Sequence, residues 1–149
     1  MQDSIEKVID LKAPVSRVWH AVTNYREFGT WFRVDLESPF VIGETTRGKV
    51  TYPGYEGLKC EAMVEVMEPE RLFAFRWCPY ENDDDFDYAR DPTTLVEFRL
   101  EPTPAGTRLT VTESGFSALP DQARAMEALR SNTGGWDAQA NNIVGHVDG

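Results

Sequence analysis

Residues 117–147 read SALPDQARAMEALRSNTGGWDAQANNIVGHV. After Ser117-Ala118-Leu119-Pro120, the residues Ala123, Met126, Leu129, Thr133, Trp136, Ala140, Ile143 and Val147 recur at intervals of three and four. That period predicts one amphipathic helix of up to seven turns, about 40 Å long at 1.5 Å per residue. Such a helix carries an apolar stripe that must be buried against another layer. Gly134-Gly135 in its middle costs on the order of 1 kcal/mol per glycine relative to alanine. Two readings answer that cost. The bare backbone permits close helix–sheet packing or a kink, or it makes room for a ligand or loop beside a wall formed by Trp136.

Upstream of the helix the period changes to two. Leu95 to Glu101 and Thr107 to Glu113 flank Pro104-Ala105-Gly106, which predicts a hairpin pairing Leu100 with Leu109, Phe98 with Val111 and Val96 with Glu113. Leu72 to Trp77 places Phe73, Phe75 and Trp77 on one face, and Cys60, Ala62, Val64 and Val66 alternate with Lys59, Glu61, Met63 and Glu65 before the turn at Glu68-Pro69-Glu70-Arg71. A strand over about 44–52, a turn at Pro53-Gly54-Tyr55-Glu56-Gly57 and a short strand at Val34 and Leu36 precede them. At the start, Ile5, Ile9 and Leu11 predict a first strand, and Pro14 suits the first position of a helix. Val15, Val18, Trp19 and Val22 then form one helical stripe. Tyr25, Phe28, Trp31 and Phe32 form a second, loosened at Gly29. The fold class is therefore α+β. A curved antiparallel sheet of six to seven strands surrounds a long C-terminal helix, with two short helices after strand one and one domain over residues 1–149.

Composition narrows the function. Fifteen Lys+Arg against twenty-five Asp+Glu leave a formal charge of −10. Nucleic acid and anionic membranes both demand a basic footprint, so neither is an expected partner. No apolar run approaches the roughly 20 residues of a membrane span. The opening Met1-Gln-Asp-Ser-Ile-Glu-Lys has no signal-peptide pattern. Cys60 and Cys78 lie eighteen positions apart without a CxxC, and the chain has two histidines. Reduced thiols in a cytoplasmic protein, with no metal and no cofactor, are the expectation.

The chain also resembles a known family. Ala13-Pro14-Val15-Ser16-Arg17-Val18-Trp19 followed by Trp31-Phe32 is similar to the opening of the START-related SRPBCC superfamily, in the branch of the heat-shock-chaperone ATPase activator homologues. Glu68-Pro69-Glu70-Arg71-Leu72, Thr94-Leu95-Val96, Thr110-Val111-Thr112-Glu113-Ser114-Gly115-Phe116 and Gly134-Gly135-Trp136 follow in that branch's order. The resemblance implies a helix-grip fold whose cavity, between the long helix and the sheet, receives hydrophobic small molecules such as lipids. It also brings polyketide cyclases and co-chaperone domains, so a cyclase- or hydratase-like enzyme and a partner of a chaperone ATPase stay open as readings.

Candidate lining residues are Trp31, Phe32, Tyr52, Tyr55, Phe75, Trp77, Phe98, Trp136 and Ala140, with Glu113 as the polar anchor. Sites for small ligands are concave, mostly apolar and carry a few placed polar groups. These same aromatics, with Phe73, could instead fill the interior as an ordinary core. Glu113 has two readings. Its strand ends at solvent, an arginine or a backbone amide, or the carboxyl is buried and its pKa raised. Tyr55 either gates an entrance or sits in a plain turn. Glu81–Asp91 carries six carboxylates in eleven residues and reads as a solvated loop. His20 and His146 are expected at the surface. Cys60 reads as a small core residue, since no base or cation accompanies it.

Overall fold

The 95–113 hairpin forms in the register its alternation predicts: Val96 pairs with Glu113, Phe98 with Val111 and Leu100 with Leu109. The computed structural model describes residues 2–80, 85–87 and 89–149. Seven strands are seen: β1 (Ser4–Leu11), β2 (Val34–Leu36), β3 (Thr45–Val50), β4 (Lys59–Glu68), β5 (Leu72–Trp77), β6 (Thr94–Thr103) and β7 (Gly106–Ser114). They form one antiparallel sheet in the order β1-β7-β6-β5-β4-β3-β2. Helices α1 (Val15–Thr23) and α2 (Tyr25–Phe32) follow β1, and α3 (Gln122–Val147) closes the fold. The sheet curves around α3, which is the helix-grip arrangement.

The local chemistry explains the helix boundaries. Pro14 is the residue before α1 rather than its first, with an extended backbone. Asn24 caps α2, its side chain accepting from the Glu27 amide, and Asp121 caps α3 by accepting from Arg124. Gly29 does not loosen α2, which runs through it. A Cβ there would collide with the Val34 carbonyl, so glycine is what lets β2 pass so close. Asp148, just beyond α3, accepts the Lys12 and Ala13 amides at 2.8 and 3.0 Å, tying the end of the helix to the end of β1.

The inward stripe of α3 differs from the one drawn through Ala123 and Met126. Both are exposed, and Ala125 and Ala128 are buried in their place, while Trp136 and Ile143 are buried as predicted. Weighting by apolar size selects Met126, whereas the first turns approach closely enough that alanine is what fits. His146 is also not a surface residue. Half-buried, it reaches Glu27 at 2.8 Å, and Arg17 and His20 bond the same carboxylate. This cluster fastens α1, α2 and the end of α3 together. Burial pushes Glu27 upward, but hydrogen bonds from Arg17, His146 and His20 outweigh it and hold the carboxyl below its ordinary value.

Within the acidic tract, residues 81–84 and 88 lie outside the described residues. Of the rest, Asp87 and Asp91 form a turn in which the Asp87 amide donates to the Asp91 carboxylate at 2.8 Å.

Candidate functional site

The aromatics divide into two groups. Phe73, Phe75, Phe98 and Trp31 are buried and interlocked, with Phe75–Phe98 at 6.1 Å, Phe73–Phe75 at 5.6 Å and Trp31–Phe98 at 6.4 Å between ring centroids. The Trp31 indole donates to the Ala21 carbonyl at 2.8 Å. Trp31, Phe98 and Ala140 border only a void of about 10 Å³, and Phe75 is 1% exposed in the core beside them. These four predicted residues therefore sit in packed interior, away from the open space.

Phe32, Tyr52, Tyr55 and Trp77 face a cavity of about 500 Å³ between α3 and the far half of the sheet. Val50, Leu58, Cys60 and the segment Cys78-Pro79-Tyr80 complete its strand side. Ser131, Asn132, Gly134, Gly135, Ala138 and Gln139 form its helix side. A recess of about 100 Å³, bordered by Phe32, Trp77, Asn132, Gly135, Trp136 and Gln139, shares most of its walls with the cavity. Tyr55 projects from a turn in which Gly54 and Gly57 hold positive φ, and its ring lies 6.2 Å from that of Tyr52.

Gly134 and Gly135 do not serve close packing. A Cβ at either position meets nothing within 4 Å, so both strip side chains from the cavity rather than from a helix–sheet contact. Helical propensity is lost there and open volume is gained.

Glu113 is fully buried, at 0% exposure, and among the described residues it bonds neither an arginine nor a backbone amide. Trp77 Nε1 donates to Oε2 and Trp136 Nε1 to Oε1, each at 2.9 Å. The two indoles stack at 5.6 Å and 28°. Thr94 Oγ1 lies 2.6 Å from Oε2, and Asn132 Nδ2 reaches both oxygens at 3.2 and 3.3 Å. Burial pushes the carboxyl above its ordinary value, and donation from Thr94, Trp77, Trp136 and Asn132 opposes it. Glu113 thus lies just beneath the cavity, joined to it through the residues that form its walls.

The sequence reading missed Asn132 and Gln139. Once Ala128 and Trp136 fix the phase of α3, Asn132 falls four residues from each and must face inward. The Gln139 amide donates to the Phe32 carbonyl at 2.9 Å and joins α3 to the end of α2. Arg33, Lys59 and Glu61 supply charge at the cavity wall, with Lys59 and Arg47 each 3.6 Å from Glu61. Cys60 is half-buried on the inward face, and burial, with Glu61 and Cys78, pushes its thiol up to about 12. It is protonated at neutral pH and no nucleophile. Among the described residues, no three His, Cys, Asp or Glu side chains are grouped to hold a metal ion, and no helix is long and apolar enough to cross a membrane.

Sheet, long helix and intervening chamber define the class: a helix-grip protein of the SRPBCC superfamily. Residues 12–148 match the family described as Activator of Hsp90 ATPase homolog 1-like protein, and the chain belongs to that family. No curated protein matches it. Among solved structures, protein MLL2253 from Mesorhizobium loti is 23% identical with a TM-score of 0.76, over 97% of this chain and 96% of that one. A protein from Arthrobacter aurescens is 19% identical with a TM-score of 0.79, over 97% and 86%. These two likenesses show the fold. DynU16, a putative protein in the dynemicin biosynthetic locus, is 25% identical with a TM-score of 0.76. The match covers 99% of this chain and 48% of DynU16.

Proposed function

We propose that the protein binds a hydrophobic, aromatic small molecule in the cavity between α3 and the sheet. The observation that carries this reading is the chamber of about 500 Å³ walled by Phe32, Tyr52, Tyr55 and Trp77, with Gly134 and Gly135 leaving its helix side bare. A bicyclic aromatic burying about 200 Å² would gain roughly 5 kcal/mol from apolar transfer before the costs of association. The thiols of Cys60 and Cys78 suit a reducing, cytoplasmic setting.

The test is thermal unfolding with a panel of naphthalenes and alkylphenols, on the protein and on Gly134→Leu. A ligand at a hundred times its Kd stabilises by about 2.7 kcal/mol. The shift is expected in the parent protein and lost in Gly134→Leu, whose side chain occupies the chamber. No shift with any compound, together with no small molecule co-purifying under native mass spectrometry, rejects the proposal.

The family description supports a second reading, stimulation of a chaperone ATPase through the outer surface. ATPase stimulation that Gly134→Leu leaves intact would favour it. A cyclase- or hydratase-like activity has less support, because Glu113 is already engaged by four side chains and does not border the chamber.

A further inference from the structure

The orientation of the Asn132 amide is fixed by what surrounds it. Its Nδ2 donates to the Pro79 carbonyl at 3.0 Å and to both Glu113 oxygens at 3.2 and 3.3 Å. All three partners are acceptors. Turning the amide over would set its carbonyl against a carboxylate and another carbonyl, so the nitrogen end must face them. Oδ1 is thereby turned away from Glu113, and no donor among the described residues reaches it. No buried side-chain nitrogen or oxygen among the described residues lacks a partner, so Oδ1 is not buried. Asn132 borders both the cavity and the aromatic recess beside Phe32, Trp77 and Trp136.

An exposed amide oxygen is solvated until a guest arrives. A hydrocarbon that displaces its water leaves Oδ1 without a donor, while a guest carrying a hydroxyl in the same place restores the bond. We infer that Asn132 is a specificity-determining residue of the cavity, accepting a hydrogen bond from the ligand, and that the ligand class is hydroxylated aromatics such as phenols and naphthols. This rests on the cavity-binding function proposed above. Glu113, two tryptophans and Thr94 then have a shared purpose: they hold one amide in the orientation that reads a donor.

The test measures Kd for 2-naphthol and 2-methylnaphthalene by calorimetry and takes their ratio, which cancels general changes in the cavity. Asn132→Leu removes the acceptor at nearly constant volume. It is expected to move the ratio about fivefold against 2-naphthol, the effect of one net hydrogen bond of about 1 kcal/mol. Asn132→Ala is measured alongside, with circular dichroism and thermal unfolding as checks of folding, and should move the ratio in the same direction. Binding of both compounds with a ratio unchanged in the folded variants overturns the role of Asn132 and leaves the cavity function standing. Failure of 2-naphthol to bind the parent protein overturns this inference, and the cavity function falls with it only if the wider panel and native mass spectrometry also give nothing.

Discussion

At its C-terminal end α3 lays Ala140, Ile143 and Val147 against a filled interior, whereas from Ser131 to Gln139 the same helix borders a chamber of about 500 Å³. Both stretches are amphipathic and both face the sheet. The difference lies in what each side contributes. At the closed end, α1 and β1 approach the helix and Trp31, Phe75 and Phe98 interdigitate behind it. At the open end the helix offers glycine, alanine, asparagine and glutamine, and the opposing β3–β4 hairpin carries Tyr52 and Tyr55 on a turn. One end is built for stability, and the other gives up packing for volume.

The largest effect expected from breaking this division is in the closed half. Phe98→Ala should lose about 4 kcal/mol, read from urea denaturation, because a buried ring leaves a cavity its neighbours cannot refill. A loss below about 1 kcal/mol would mean that this region is not the rigid half. Gly135→Ala probes the open half with the opposite sign. With no atom within 4 Å of the new Cβ, it should gain up to about 1 kcal/mol of stability from helical propensity and weaken ligand binding at the same time. Destabilisation would show that the bare backbone is needed by the fold rather than by a guest.

The smallest expected effect separates the two buried or half-buried glutamates. Glu27, at the closed end, is held below its ordinary value of 4.5, so the stability it contributes is present above that pH and is lost as pH falls. Glu113, at the open end, is raised above 4.5, so its contribution is present below that pH and is lost as pH rises through the folded value. Glu27→Gln should therefore cost more stability at pH 7 than at pH 4, and Glu113→Gln more at pH 4 than at pH 7. Parallel pH profiles for the two variants would contradict that assignment.

Much of the fold is legible in sequence because its signals are local. The 95–113 alternation around Pro104-Ala105-Gly106 places Glu113 on the inward face, opposite Val96. What sequence does not contain is the partners of that carboxylate, since Trp77 and Asn132 lie 36 and 19 positions away and meet it only through strand order and helix phase. The first turns of α3 are misread for a related reason: large Met126 outweighs small Ala125 in any apolar pattern, and inward polar residues carry no apolar signal at all. Likewise, Phe73, Phe75 and Trp77 share a face by alternation. Yet only the curvature of the sheet decides that Phe75 is sealed while Trp77 reaches the chamber.

The pairing of β1 with β7, reinforced by Asp148 on Lys12 and Ala13, also sets an order of events during synthesis. β1 leaves the ribosome with no sheet neighbour until residues 106–114 have been made, and the Asp148 clasp forms later still. Nascent chains must carry the inward side chains of Ile5, Ile9 and Leu11 without their sheet partner until β7 emerges, so the growing polypeptide stays adhesive through the synthesis of every strand between the two.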